Sequence, residues 1–400
     1  MNVLSVCTNL PTQRSPLHGL FVRRRLEELA KLLPVRALAP QPWFPLVRPR
    51  RIDPAISTAN LTVDAASMLY FPGVAKGLDG FWLDRCVDRW LDEMDPDVVG
   101  DAILDAHFGY PEGVGCWRVA KRRGMPIFIT IRGLEVDLFG RSSRGDQLLQ
   151  ALCEATGVIA VSHSLKKVAV SAGVPADQIT VIPNGVDTAT YSMGDQTTAR
   201  RQVGYESPKK LIVSVGNLKP VKGHDVLIRA VARIKNDVDF QLVCIGGGVQ
   251  STWGKSLQNL VSELGVQDHV RFIGSKPPHE VADWLRAADL FALASHREGC
   301  CNAVLEALST GLPVVATDAG DNAEYIKDSN MGCVVPTKSP ADLGKAIVES
   351  LSNQYDKASI ANAMVDTTWS SVAGKIVGLL NQLPNRRPIA SVPENADCVP

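Results

Sequence analysis

The sequence carries no excess of charge of either sign: 42 Lys and Arg stand against 42 Asp and Glu in 400 residues. A chain whose main partner is nucleic acid usually shows a basic excess, so that partner class is set aside. Its nine cysteines (7, 86, 116, 153, 244, 300, 301, 333 and 398) include no Cys-x-x-Cys pair and no Cys/His ligand spacing. Most lie in apolar stretches such as LVCIG, and an odd, scattered set argues for reduced thiols in a cytosolic compartment, against a disulfide framework or a structural metal. No run of 18 apolar residues occurs, and MNVLSVCTNL lacks a basic segment followed by a long apolar one. Neither a signal peptide nor a spanning helix is therefore expected. No short internal repeat is visible, and the length favours two domains over one core.

What the chain does have is alternation. Short β-rich apolar runs and helical patterns succeed one another, the mark of βα units around parallel sheets. In the first half the runs predict strands near 2–7, 34–39, 97–104, 126–131, 157–161 and 179–182. FVRRRLEELAKLL between the first two puts Phe21, Val22, Leu26, Leu29 and Leu33 on one helical face. KLIVSV, QLVCIG, VRFIG, LFALAS, PVVAT and CVVP predict six strands in the second half. The expected organisation is a Rossmann-like domain over 1–186, a polar linker over 187–208 and a second Rossmann-like domain over 209–365. A helix over 366–383 and a disordered tail over 384–400 follow. In doubly wound domains ligands bind beyond the carboxyl ends of the strands, so the loops after strands are the candidate sites.

SVGNLKPVKGHDVLIRA turns through Gly216 and Asn217 and enters a helix after Gly223. Backbone N–H groups there, with Lys222 close by, suit a diphosphate; a glycine turn with a solvated lysine is the plainer reading. CIGGGV brings Gly246 and Gly247 into a second close turn. Neither this turn nor TNLPTQRSPLHG has the G-x-G-x-x-G spacing of a dinucleotide site. In EGCCNAVLEALSTG, Asn302 is a candidate N-cap, Gly311 a helix end, and Val304, Leu305 and Leu308 an inward face, which puts Glu306 in the first turn. Glu298 and Glu306 either decorate a loop and a helix dipole or face a polyhydroxyl ligand. His107 and the charges of Arg132–Asp137 follow strands of the first half and are either cleft residues or surface turns. WFPLVRPRR at 43–51 and Arg23–Arg25 mix aromatic and basic residues, which fits either a peripheral membrane contact or a loop and a solvated helix face.

Together these loops resemble the retaining GT-B glycosyltransferases of family 4, across nearly the whole chain. The resemblance rests on the E-x7-E pair Glu298 and Glu306, VGNLKPVKGHD, VIPNGVD, VRFIG, ALSTGLPVVATDAGDNAEYI and the Trp369 segment. The form of VGNL followed by VKGHDVLIRA looks most like the branch that builds bacterial teichuronic acid and exopolysaccharides. The resemblance implies an α/β GT-B fold: two doubly wound domains facing a central cleft, with the last helix crossing back to the first. It implies a nucleotide-diphosphate-sugar donor, UDP- or GDP-linked, on the C-terminal domain, and a glycan, lipid-linked or small-molecule acceptor on the N-terminal one.

By the same resemblance, Lys222 would neutralise the diphosphate, Glu298 hold sugar hydroxyls, Glu306 bind the ribose and His107 face the transferred sugar. Gly19 would let the first loop approach the donor. Gly299, Cys300, Cys301 and Asn302 would offer backbone N–H groups, with Asn217, Gly246 and Gly247 also at the donor. Gly274 and Ser275 would lie near the base, and Arg132, Glu135 and Asp137 on the acceptor side. No metal or cofactor is expected. Asn217 departs from the arginine common in the family, leaving Lys219 or Arg297 to supply charge, and Cys300 and Cys301 stand where phenylalanine and proline are frequent. The expected activity is retaining sugar transfer in cell-surface polysaccharide synthesis, in the cytoplasm or at the inner face of the plasma membrane. A nucleotide-sugar epimerase and a non-catalytic nucleotide-sugar-binding protein stay open as alternatives.

Overall fold

The computed structural model describes residues 1–13, 15–44, 57–58, 60–140 and 142–383. The chain divides into two compact units. Met1–Gly185 and the segment from Trp369 onward form the first, and Val186–Thr368 form the second.

The first unit holds β1 (Asn2–Val6), β2 (Val35–Trp43), β3 (Leu61–Leu69), β4 (Ala102–His107), β5 (Ile127–Ile131), β6 (Gly157–Ala160) and β7 (Ile179–Val181). They form one sheet in the order β3-β2-β1-β4-β5-β6-β7, and every pair is parallel. The second unit holds β8 (Lys210–Val215), β9 (Phe240–Ile245), β10 (Val270–Gly274), β11 (Leu290–Leu293), β12 (Val314–Thr317) and β13 (Gly332–Val335). Its order is β10-β9-β8-β11-β12-β13, again all parallel. In each sheet the chain runs outward one way and then restarts from the centre, at β1/β4 and at β8/β11. These are the switch points at which successive connections leave on opposite faces.

All six runs of the second half are strands. The first half differs from expectation in two places. β3 escaped notice because it is an edge strand of mixed polarity, LTVDAASML, with no apolar run. The strand expected at 97–104 begins later: Asp95 caps a short helix Pro96–Gly100 by accepting from the Asp97 N–H, and β4 follows.

The stretch 187–208 is not a bare linker. It contains the helix Gln196–Gln202, capped by Asp195, and buries Tyr191, Ala199 and Tyr205 in the core of the second unit. The helix is short, with one fully buried residue, which is why no periodicity marked it. The ends of this unit meet each other: Val186 bridges Thr368 in parallel, and its N–H donates to the Thr367 carbonyl at 2.8 Å.

The last helix, Trp369–Leu380, belongs to the first unit. Its Trp369, Val372, Ala373, Ile376, Val377 and Leu380 pack with Val22, Leu26 and Leu29 of the helix Leu20–Ala30 in one core. The tail 384–400 and the stretch 45–51 lie outside the described residues. The basic triplet Arg23–Arg25 is not an exposed cationic face: Arg25 is 3% exposed and paired to Asp105, and Arg23 pairs with Glu27 at 2.7 Å. No helix among the described residues is long and apolar enough to cross a membrane.

Truncating Ile376→Ala removes a buried side chain from this shared core and should destabilise the first unit by about 2–5 kcal/mol. Denaturant unfolding followed by hydrogen exchange should show faster exchange in Leu20–Ala30 and unchanged exchange in Lys210–Val215.

Candidate functional site

In the second unit the loops after β8, β9, β10 and β11 gather at the carboxyl edge of the sheet and are laced together by their backbones. The Gly216 N–H donates to the Ile245 carbonyl, Leu218 N–H to Gly247, Gly246 N–H to Gly274 and His296 N–H to Val221, at 2.8–2.9 Å. Gly246 can hold no side chain, since a Cβ there would lie 1.9 Å from the Gly216 carbonyl oxygen. Gly223 has φ +62°, and a Cβ would lie 1.9 Å from the Ala294 oxygen. That left-handed residue starts the helix His224–Ile234 hard against the end of β11.

On this scaffold Lys222 and Glu298 meet. Lys222 Nζ donates to both carboxylate oxygens, at 2.7 and 2.8 Å, and the Ser295 hydroxyl donates to Glu298 Oε1 at 2.6 Å. The side chains are 26% and 7% exposed, so the pair is largely withdrawn from water but open on the lysine side. Burial opposes the ammonium charge, and Glu298 outweighs it, holding Lys222 above its ordinary range. Beside it His224 is 1% exposed, and neither ring nitrogen has a hydrogen-bond partner among the described residues.

Glu298 leads into the helix Asn302–Ser309, whose N-cap is Cys301, not Asn302, with no side-chain cap. Its first turn is closed by backbone alone: the Asn302 N–H donates to the Cys300 carbonyl at 3.1 Å, and the Val304 and Leu305 N–H groups donate to the Cys301 carbonyl. Val304, Leu305 and Leu308 are buried as expected, but the earlier cap moves Glu306 one position along the helix, past its first turn. Cys301 is a core residue whose thiol burial pushes far up, which removes it as a nucleophile. Cys300 Sγ lies 3.4 Å from the Tyr325 hydroxyl. Asn217 turns its carboxamide oxygen to the Gly247 N–H at 3.0 Å, bracing the two glycine loops. Ser275 Oγ lies close to the same glycine, 3.1 Å from where its Cβ would be, while Lys219 and Arg297 are exposed.

The first unit has its own polar cluster at the end of β4. Gly19, φ +68°, starts the helix Leu20–Ala30 with its would-be Cβ 1.8 Å from the Asn9 oxygen. Arg25 on that helix reaches Asp105 at 3.0 Å and Thr130 at 2.9 Å, and the Ser5 hydroxyl donates to Asp105. Burial alone would raise Asp105, but Arg25 and His107 hold its carboxyl well below the usual carboxylate range.

His107 is the last residue of β4 and is wholly buried, so its imidazole does not face a ligand as expected. Arg132 Nη2 lies 3.1 Å from Nδ1, and a guanidinium can only donate, so Nε2 carries the proton, 3.0 Å from Asp105. Arg132 also donates to Asn184. Glu135, expected on the acceptor side, is 1% exposed and accepts from the backbone N–H groups of Gly109, Arg132 and Gly133. Its carboxylate is a loop brace. Asp137 is exposed at the end of the turn Leu134–Asp137. Sequence reasoning missed Glu112, buried and accepting from the Thr8 N–H and hydroxyl, and missed Ser295, His224, Arg25 and Asp105. Only the position of His224 directly after Lys-Gly marked any of them in the sequence.

Residues 195–365 match the family model described as glycosyl transferases group 1, and residues 10–190 that described as Glycosyltransferase Family 4. A D-inositol 3-phosphate glycosyltransferase of Acidothermus cellulolyticus is 30% identical over 312 residues, covering 72% of this chain and 69% of that protein. TuaC of Bacillus subtilis, a glycosyltransferase assigned to teichuronic acid biosynthesis, is 26% identical over 393 residues, 94% of this chain and 96% of that one. Among solved structures, HepE of Anabaena in complex with UDP and glucose superposes with a TM-score of 0.74 at 20% identity. It covers 96% of this chain and 100% of its own. That likeness shows the fold, GT-B.

The two buried histidines act in the same direction with pH, and a buried carboxyl, Glu112, offsets this only in the first unit. Burial, then the Lys222 charge, push His224 down to about 4 from an ordinary 6.5. On acidification the unfolded chain takes the proton first, so stability is full above pH 6.5 and is lost toward pH 4, by on the order of 3 kcal/mol. Burial pushes His107 down to about 4 as well, but in the same unit it pushes Glu112 up to about 7. Glu112 stabilises the protonated native form, so its contribution grows as pH falls and offsets that of His107. Hydrogen exchange from about pH 7 to about pH 4.5 should therefore show the second unit loosening more than the first, and His224→Leu should flatten the second unit's profile.

Proposed function

The chain belongs to glycosyltransferase family 4, and from that premise we propose that it moves a sugar from a nucleotide-diphosphate-sugar to a saccharide or lipid-linked acceptor, with retention and without a metal. The observation that carries this reading is the Lys222–Glu298 pair beside the start of a helix without a side-chain cap, at the switch point of the second sheet. Diphosphate departure builds negative charge, and a fixed ammonium beside the positive end of a helix dipole stabilises it without reorganising. Arrival of the diphosphate gives Lys222 a second anionic partner, which frees Glu298 oxygens to accept from sugar hydroxyls, while Ser295 keeps the carboxylate oriented.

Glu306 on the same helix is assigned to the ribose, the Gly274–Ser275 turn to the base, and the backbone of Gly299–Asn302 to the phosphates. Gly246 and Gly247 let the loop backbone come close to the donor. Asn217 braces this loop in place of supplying charge, so Lys219 or Arg297 is the second cation of the proposal. Because Cys301 is a buried core thiol, the proton of the incoming hydroxyl is assigned to a phosphate oxygen of the leaving group rather than to a side-chain base. In the first unit His107 is a positioning residue: its neutral ring holds Arg132, the group we assign to the acceptor. The work of TuaC in teichuronic acid biosynthesis supports a role in bacterial cell-surface polysaccharide synthesis, and the HepE complex with UDP and glucose supports a UDP-linked donor.

A thermal-shift screen with UDP-, GDP- and ADP-sugars tests the donor assignment. One class should raise the melting temperature of the wild-type chain, and Lys222→Ala should abolish most of that shift; an undiminished shift would show that the diphosphate is held elsewhere. Glu298→Ala should abolish transfer with the fold intact, and near-normal turnover would remove Glu298 from the mechanism.

A further inference from the structure

The first unit contains a groove of about 540 Å³ that the reading above does not use. It lies between the end of β2, the edge strand β3 and the helix Asp79–Asp92. This volume is in the range of small-molecule sites. Its strand-side lining, Trp43 and Ser67–Leu69, lies at the carboxyl ends of β2 and β3, the end at which parallel sheets take ligands.

The walls have a defined chemistry. Trp43, the last residue of β2, is 44% exposed, an unusual state for so large an apolar ring. Across the groove Trp82 is held in a cluster of aromatic rings in edge-on and tilted contact: Phe81 at 5.1 Å and Phe71 at 6.4 Å, with Phe44 beyond at 5.7 Å from Phe71. Its indole N–H is buried with no acceptor among the described residues, a donor left to be satisfied.

Charge adds the second element. Asp88 and Asp92 line the groove but are neutralised from behind, Asp88 by Arg122 at 3.1 Å and Arg123 at 2.7 Å, and Asp92 by Arg123 at 2.5 Å. Arg85 and Arg89, one helical turn apart on the groove wall, form no ion pair among the described residues, and Arg85 lies 5.3 Å over the Phe81 ring. Two rigid indoles offer flat apolar faces to sugar rings, and two planar guanidinium forks match a carboxylate or a phosphate.

We propose that this groove binds an anionic saccharide, with a pyranose face on the Trp43 and Trp82 indoles and its carboxylate or phosphate on Arg85 and Arg89. Its use as the subsite that holds the acceptor chain rests on the transferase reading; the binding itself does not.

Titration calorimetry on the full chain without donor tests it, with trigalacturonate as the uronate probe, glucose 6-phosphate as the phosphate probe and maltotriose as the neutral control. At least one anionic probe should bind, about tenfold or more tighter than maltotriose, and the preferred probe identifies the anion. The double variant Arg85→Ala/Arg89→Ala should weaken that binding by about tenfold or more, Trp43→Ala should weaken it too, and added salt should act in the same direction as the arginine changes. The donor thermal shift should be unchanged in all these variants; a shift lost only in Lys222→Ala concerns the donor reading, not this one. Equal binding of maltotriose, undiminished binding in the arginine variant, or no binding of either anionic probe would overturn the proposal. Capture of phosphatidylglycerol vesicles through Arg85 and Arg89 with no saccharide binding would overturn it as well, in favour of a lipid surface.

Discussion

One ion pair, Lys222 with Glu298, joins the two loops to which the proposed chemistry of the second unit is assigned. The loops follow β8 and β11, adjacent strands at which the sheet reverses its order, so their outgoing chains diverge and leave room between them. Withdrawing two charges from water is unfavourable unless the geometry is close and the remaining lone pairs are filled. Here the ammonium bridges both carboxylate oxygens and Ser295 fills one of them again. The backbones must also come within contact distance, which Gly223, Gly246 and Gly320 permit by having no side chain to collide with Ala294, Gly216 and Glu298. Because each partner is the other's main counter-charge, the proposed diphosphate would compete directly for the lysine, which would couple its binding to the orientation of the carboxylate.

The first unit uses charge differently. Arg25, Asp105, His107, Glu112 and Glu135 are all almost fully buried, and each is spent on holding backbone or another side chain. Arg25 spans from the first helix to β4 and β5, Glu135 gathers three N–H groups from the loops after β4 and β5, and Glu112 fixes the loop after β1 through Thr8. These braces set the loop ends at the carboxyl edge of the sheet without presenting their own charges to a ligand. Surface-directed polarity in this unit is left to groups such as Arg132, Asp137 and the arginines of the Asp79–Asp92 helix.

The fold was most legible where burial on both faces of a strand leaves an uninterrupted apolar run, as in LFAL of β11 and the start of VVAT in β12. It was less legible at β3, an edge strand of mixed polarity, and in Gln196–Gln202, a helix too short to show a period. The E-x7-E pair and Lys222 announced themselves by spacing and by the turn before them. Their detailed placement did not: Glu306 moved one position along the helix, out of the first turn, because the helix starts at Asn302 after a Cys301 cap instead of being capped by Asn302. The roles of Arg25 and Glu135 were hidden for a different reason. An arginine inside a helical pattern reads as solvated unless its partner is known, and the partner of Arg25, Asp105, is 80 residues away in sequence. Glu135 binds backbone N–H groups, which leave no trace in side-chain identity.

The clasp of Val186 with Thr368 makes the second unit an insertion between the body of the first and its closing helix. During synthesis the second unit is therefore complete while Val22, Leu26 and Leu29 still lack the face supplied by Trp369, Val372 and Ile376. The earliest-made half of the chain is the last to finish its core, and it waits through nearly two hundred residues of translation with an apolar stripe uncovered. A ribosome that stalls or a chain that ends early releases a folded second unit attached to an unfinished first one, so the exposure to chaperones and proteases falls on the amino-terminal half.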